Sequence, residues 1–193
     1  IALDIGGTAI KAGLIRQDGE LLALRREATP AHEAPELVVR RILALIDEIG
    51  DSCGVAPTAV RGIGISIAGF VTTDGVVTAT AHLSREWIGY DLRARLLADL
   101  PSRYYFALDT PAPTLGEAYY GAGKGIPHFV YVTVSTGIGA GIIADGRIFV
   151  GGLGWAGGVG HMIIDEHSPR VCTGCGNAGC LETFAASQGI TAT

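Results

Sequence analysis

Apolar positions recur with two periods along this chain. From Leu3 to Glu27, LDIGGTAIKAGLIRQDGELLALRRE, short apolar runs are broken at Gly6-Gly7-Thr8 and again at Gln17-Asp18-Gly19. That pattern predicts three strands in an antiparallel meander, with glycine supplying the positive φ of tight turns. Next, EAPELVVRRILALIDEIG places Val38, Ile42, Leu45, Ile46 and Ile49 on one face of an amphipathic helix. RGIGISIAGFV reads as a buried strand ending in a turn, DLRARLLADL as a helix, RYYFALD as a strand and TPAPTLGEAYYGAG as a helix. Strands alternating with helices define an α/β domain.

A second meander follows in FVYVTVSTGIGAGIIADGRIFVG. Thr136-Gly137-Ile138-Gly139 stands where Gly6-Gly7-Thr8 stood, and Asp145-Gly146 where Asp18-Gly19 stood. The chain therefore contains an internal repeat, which predicts two similar lobes facing one another across a cleft, residues 1–120 and 121–193, with the boundary near Tyr120 to Gly125.

Composition narrows the function. The 193 residues are 48% hydrophobic and 17% charged, enough for a sizeable core. A net charge of -5 without a Lys/Arg run argues against nucleic acid as a partner. No apolar stretch reaches the roughly 18 residues that span a bilayer, so no membrane partner is expected. The chain opens in IALDI with no charged leader pattern, and a cytoplasmic, reducing setting is the expectation.

Two glycine-rich turns at matching places in a repeat let backbone approach closely and point N–H groups at phosphate oxygens, with a Thr hydroxyl as a further donor. Asp4, at the end of the first strand, either holds Mg²⁺ through water or closes the turn by its own hydrogen bond. Three of the four cysteines, Cys172, Cys175 and Cys180, fall within VCTGCGNAGCLE, with His161 upstream in VGHMIID. Such a Cys3His set suits tetrahedral Zn²⁺ in a structural site, since four protein ligands leave no open position. The alternative is free thiols and an ordinary buried histidine.

LDIGGTAIKAGLI, the segment from TVSTGIGAGII to GRI, GGVGHM and CGNAGCLE, in this order, resemble the ROK family of sugar kinases and sugar-responsive repressors, with a glucokinase-like pattern. The resemblance implies a duplicated actin-like, ribonuclease-H-related ATPase fold, ATP with Mg²⁺, a hexose or amino-hexose substrate, a homodimer, and about a hundred further residues beyond Thr193 that complete the second lobe. It also implies roles. Gly6, Gly7 and Thr8, with Asp4 and Lys11 beside them, would form the first phosphate loop. Thr136, Gly137 and Gly139 would form the second. Asp109, eight residues before Glu117 in LDTPAPTLGE, would be the general base and a sugar ligand, although Asp or Thr before Pro111 is also an ordinary helix cap. His161 and Glu182 would bind sugar hydroxyls, with zinc fixing the tautomer and aim of the histidine.

Several positions depart from the family pattern. Leu108 stands for its Asn, Gly158 for its Glu, Ala68 for the Pro of Pro-Gly and His82 for its Asn, and the usual CxCG is CxxCG. Losing two sugar hydrogen bonds of roughly 1–3 kcal/mol each would weaken sugar binding about thirty- to twenty-thousand-fold. The sequence therefore predicts an ATP-dependent sugar kinase of altered specificity. The alternatives are the sensor part of a repressor, with a DNA-binding domain upstream of Ile1, and a non-catalytic homologue.

Overall fold

The computed structural model describes residues 1–80, 83–108, 110–152 and 155–191; His82 and the expected base Asp109 lie outside the described residues. The chain divides into two compact units, Ile1–Asp109 and Thr110–Thr193.

In the first unit β1 (Ala2–Ile5), β2 (Ala9–Ile15) and β3 (Leu21–Ala28) form the expected meander. Helix α1 (Pro35–Cys53) follows, then β4 (Ile63–Ile67), a small β5–β6 ribbon (Gly69–Val71 and Val77–Thr80), α2 (Leu92–Asp99) and β7 (Tyr104–Ala107). β4 and β7 add to the sheet in parallel, giving the order β3-β2-β1-β4-β7. Helix α1 packs on β2 and β3 and covers that part of one sheet face. Val38, Ile42, Leu45, Ile46 and Ile49 are fully buried with Ile5, Ile10, Ile63 and Ile67 of the sheet. Each such side chain contributes roughly 1.5–3 kcal/mol of transfer free energy. Pro35 sits at the start of α1, where its missing N–H costs nothing. Gly54 ends the helix in the left-handed region, φ 64°, with its N–H on Asp51 O. Asp91 caps α2 by accepting from Ala94 N at 2.8 Å.

In the second unit α3 (Pro111–Tyr120) precedes β8 (Phe129–Val134), β9 (Ile138–Ala144) and β10 (Arg147–Phe149). These strands form an antiparallel sheet of order β10-β9-β8, the same meander as β1-β2-β3. The β9–β10 turn places both Asp145 (φ 51°) and Gly146 (φ 71°) in the left-handed region, as a two-residue hairpin turn requires. α3 packs on β9. A Cβ at Gly141 would lie 1.8 Å from Thr114 Oγ1, and fully buried Thr114 donates that hydroxyl to Thr110 O at 2.6 Å. This packing puts α3 in the second unit, so the division falls ahead of the Tyr120 boundary expected from the repeat. Two short helices, α4 (Glu182–Ala185) and α5 (Ser187–Thr191), close the unit. Among the described residues no helix is long and apolar enough to cross a membrane.

Candidate functional site

In the first unit the β1–β2 turn is tight. Gly6 N–H donates to Ala9 O at 3.0 Å, and Thr29 Oγ1 donates to Gly6 O at 2.6 Å. Neither Gly6 nor Gly7 has a positive φ, contrary to the reason inferred from sequence. Gly6 is favoured instead by close approach, since a Cβ there would sit 3.0 Å from Ala9 O and the turn would have to shift by a few tenths of an ångström. Asp4 and Lys11 are cross-strand neighbours in register, and Lys11 Nζ donates to Asp4 Oδ2 at 2.9 Å. Thr8 is exposed at the turn.

In the second unit the β8–β9 turn, Thr136-Gly137-Ile138, is braced from two sides. Ser187, at the start of α5, donates both its N–H (2.8 Å) and its Oγ–H (2.6 Å) to Ser135 O. Glu182 Oε2 accepts from Ile138 N at 3.4 Å. Gly139 has a packing reason as well, since its Cβ would lie 2.7 Å from Thr110 Cγ2.

Beside this turn lie the cysteines. The loop that carries them is folded by its own backbone. Cys172 N donates to Asn177 O and Gly176 N to Cys172 O, both at 2.8 Å, while Ile163 bridges to Cys180 and Val171 to Ala178. Gly176 (φ 78°) and Gly179 (φ 75°) make the reversals. A Cβ at Gly179 would lie 1.7 Å from Asp165 O, so no other residue fits. The outcome is that one nitrogen of His161 and the sulfurs of Cys172, Cys175 and Cys180 all lie within 4.8 Å of one another. Cys175 Sγ and Cys180 Sγ are 3.5 Å apart, and Cys172 Sγ and His161 Nδ1 3.6 Å. Tetrahedral zinc, with bonds of about 2.0–2.3 Å, needs ligand separations of about that size, and the donor set is one zinc prefers, so these residues fit the ion.

Glu182 adjoins the cluster. Its carboxylate is largely buried, with Oε1 accepting from the Cys172 thiol at 2.8 Å and lying 3.5 Å from His161 Nδ1. Burial, reinforced by this bond, pushes the Cys172 thiol up to about 12; burial also raises Cys180, whereas the Asn177 N–H lowers exposed Cys175. A pocket of about 220 Å³ opens here, lined by Thr136, Arg170, Cys172, Thr173, Glu182 and Thr183. Arg170 is held at its rim by a 3.1 Å bond from Nη1 to Thr183 O and by stacking 5.0 Å above the Phe184 ring. The fold thus gathers the expected second loop, zinc ligands, His161 and Glu182 within one unit. Asp4, Gly6, Gly7, Thr8 and Lys11 are gathered in the other. The sequence reading missed the braces from Ser187 and Glu182 and the pocket arginine; a polar residue just after the cysteine run was the only signal of the Glu182 brace.

The ROK family model matches residues 1–193, and the chain belongs to that family. It has the family's α/β fold, that of the actin-like ATPases. The chain is 32% identical over its full length to the N-acetylmannosamine kinase of Escherichia fergusonii, and 31% identical over 98% of its length to the glucokinase of Thermotoga maritima. It spans 62% and 58% of those two proteins. Among solved structures, a ROK glucokinase from Streptomyces griseus, in complex with glucose and AMPPNP, superposes with a TM-score of 0.80 at 29% identity, covering 97% of this chain and 57% of that one. A ROK family transcriptional regulator, a homologue of the Escherichia coli MLC protein, superposes at 0.85 and 29% identity, covering 98% of this chain and 47% of the regulator.

Proposed function

We propose that this chain carries the phosphate- and sugar-binding machinery of a ROK sugar kinase, transferring the γ-phosphoryl group of ATP to a hydroxyl of a hexose or amino-hexose. The observation that carries this reading is the grouping of the 136–139 turn, Glu182 and the His161–cysteine cluster in one unit, in a chain matching named sugar kinases along its whole length. In this reading Asp109 takes the proton of the attacking hydroxyl. Glu182 Oε1 and the ring nitrogen of His161 not given to zinc bind sugar hydroxyls, and the cluster fixes the imidazole. The backbone of the 6–8 and 136–139 turns receives phosphate oxygens, with the Thr8 and Thr136 hydroxyls beside them. Lys11, released from Asp4, meets another phosphate oxygen, and Asp4 is then free to hold Mg²⁺ through water. Mg²⁺ arriving with ATP neutralises charge on the phosphates; zinc at the cluster is structural. The working protein is a cytoplasmic homodimer, with neither nucleic acid nor membrane bound through this chain.

A second reading, the sugar-sensing part of a repressor, is favoured by the superposition on the ROK regulator. ADP release from Mg-ATP, measured across glucose, mannose, N-acetylglucosamine, N-acetylmannosamine, fructose and allose, separates the two. Release with one sugar supports the kinase. Sugar binding without release from zinc-loaded, folded protein moves the assignment to the sensor.

A further inference from the structure

We infer that Glu182 is a positioning residue that ties the zinc loop to the 136–139 turn, so that metal loading sets the shape of the phosphate-binding backbone. The inference deepens the kinase reading and rests on it only in naming that turn a phosphate loop. Glu182 has a foot in each structure. Its backbone stands two residues after Cys180, and Leu181 N–H donates to Met162 O at 2.8 Å, next to His161. Cys180 itself pairs with Ile163. A metal ion gripping His161 and Cys180 therefore clamps both chain segments that fix the position of Glu182.

From there the side chain reaches the turn. Oε2 accepts from Ile138 N–H at 3.4 Å, and Ile138 is the first residue of β9, directly after Thr136 and Gly137. Two glycines leave room for the carboxylate. A Cβ at Gly137 would stand 3.2 Å from Oε2, and one at Gly160 would stand 3.0 Å from it and 2.2 Å from Ile138 O. Gly160 immediately precedes the ligand His161, so the slot is walled by the zinc segment on one side and by the turn on the other. The Glu182 side chain is 16% exposed, so its bonds are little screened by water. A buried carboxylate holding a backbone N–H is an orienting contact, because the amide and its neighbours follow wherever the carboxylate is fixed.

The test reads the amide itself. Hydrogen exchange at Ile138 is followed by NMR in the full chain, zinc-free and zinc-loaded, in the wild type and three variants of Glu182. Zinc is expected to slow exchange at Ile138 about tenfold in the wild type. The zinc effect at Ile138 is expected to vanish in Glu182→Ala and in Glu182→Asp, whose shorter side chain falls short of the amide. It is expected to survive in Glu182→Gln, which retains an acceptor oxygen. Ala140, whose N–H donates to Gly157 O at 2.8 Å, reports general loosening and should respond to zinc alike in all four proteins. Should Glu182→Ala fail to fold, the Asp and Gln pair carries the comparison. An equal zinc effect at Ile138 in the Asp variant, no zinc effect in the wild type, or loss of the effect in the Gln variant overturns the tie. Titration with Mg-AMPPNP in the same samples reads the phosphate site separately. Zinc should tighten binding about tenfold in the wild type and not in Glu182→Asp. Binding that ignores zinc overturns the functional half of the inference. No binding in any state sinks the kinase reading while leaving the amide result to stand or fall by itself.

Discussion

Single residues define how much latitude the site has. Gly179 has none: its φ of 75° and the 1.7 Å approach of its missing Cβ to Asp165 O exclude any side chain. Gly179→Ala should distort the turn between Cys175 and Cys180 at a cost of at least about 1–3 kcal/mol, and a chelator competition should show weakened zinc binding. Unchanged zinc affinity would mean that the loop relaxes freely. Gly158 is the opposite case. Its φ of −69° suits any residue, and among the described residues a Cβ would meet only Trp155 O, at 3.6 Å. The glutamate that the family resemblance places here is therefore sterically admissible. Gly158→Glu should tighten binding of the cognate sugar about tenfold in a calorimetric titration, one charged hydrogen bond's worth. No change would show that this position does not face the sugar.

At the scale of elements, the cysteine loop predicts its own pH dependence. Cys172 and Cys180 are thiols in the metal-free protein, because burial raises both. Zinc takes thiolates, so its uptake must displace those protons, and affinity rises with pH. Between about pH 6 and about pH 8 competition titrations should show zinc affinity increasing at least about tenfold, with proton release detectable in weak buffer. A pH-independent affinity would contradict the thiol assignment. Much at this scale was legible beforehand. α1 declared itself by five apolar residues at helical spacing, and both meanders by apolar runs broken at Asp-Gly turns. β5 and β6 did not, since a ribbon of three- and four-residue strands carries too few positions to show a period. The unit to which α3 belongs was hidden because it is decided by Thr114 against Gly141, a contact no periodicity encodes. The Glu182–Ile138 brace joins residues 44 apart and was equally invisible, although the family resemblance had singled out Glu182 as a sugar ligand.

At the scale of the whole molecule, the two units are stabilised differently. The main buried cluster, from Leu3 to Tyr104, lies entirely in the first unit. Among the described residues, buried apolar side chains of the second are few, Ile138, Ala140, Ile143 and Ala186, joined by Cys172 and Cys180. On its second edge β1 pairs with β4, whereas β8 pairs only with β9 among the described residues, and Val130, Val132 and Val134 are more than half exposed. Metal should therefore matter most to the second unit. Chelation should lower the thermal transition of residues 110–193 by several degrees, about 1 kcal/mol or more, and leave that of residues 1–109 in place when followed by hydrogen exchange on heating. A single transition shifted as one would contradict separate stabilities. The proposed reaction is phosphoryl transfer to a sugar with Asp109 as base. Its most direct test is transfer of labelled γ-phosphate from Mg-ATP to the cognate sugar by zinc-loaded protein, wild type against Asp109→Asn. Transfer is expected to fall on the order of a hundred- to ten-thousand-fold in the variant. Transfer at an undiminished rate in the variant, or none to any sugar from the wild type, would contradict it.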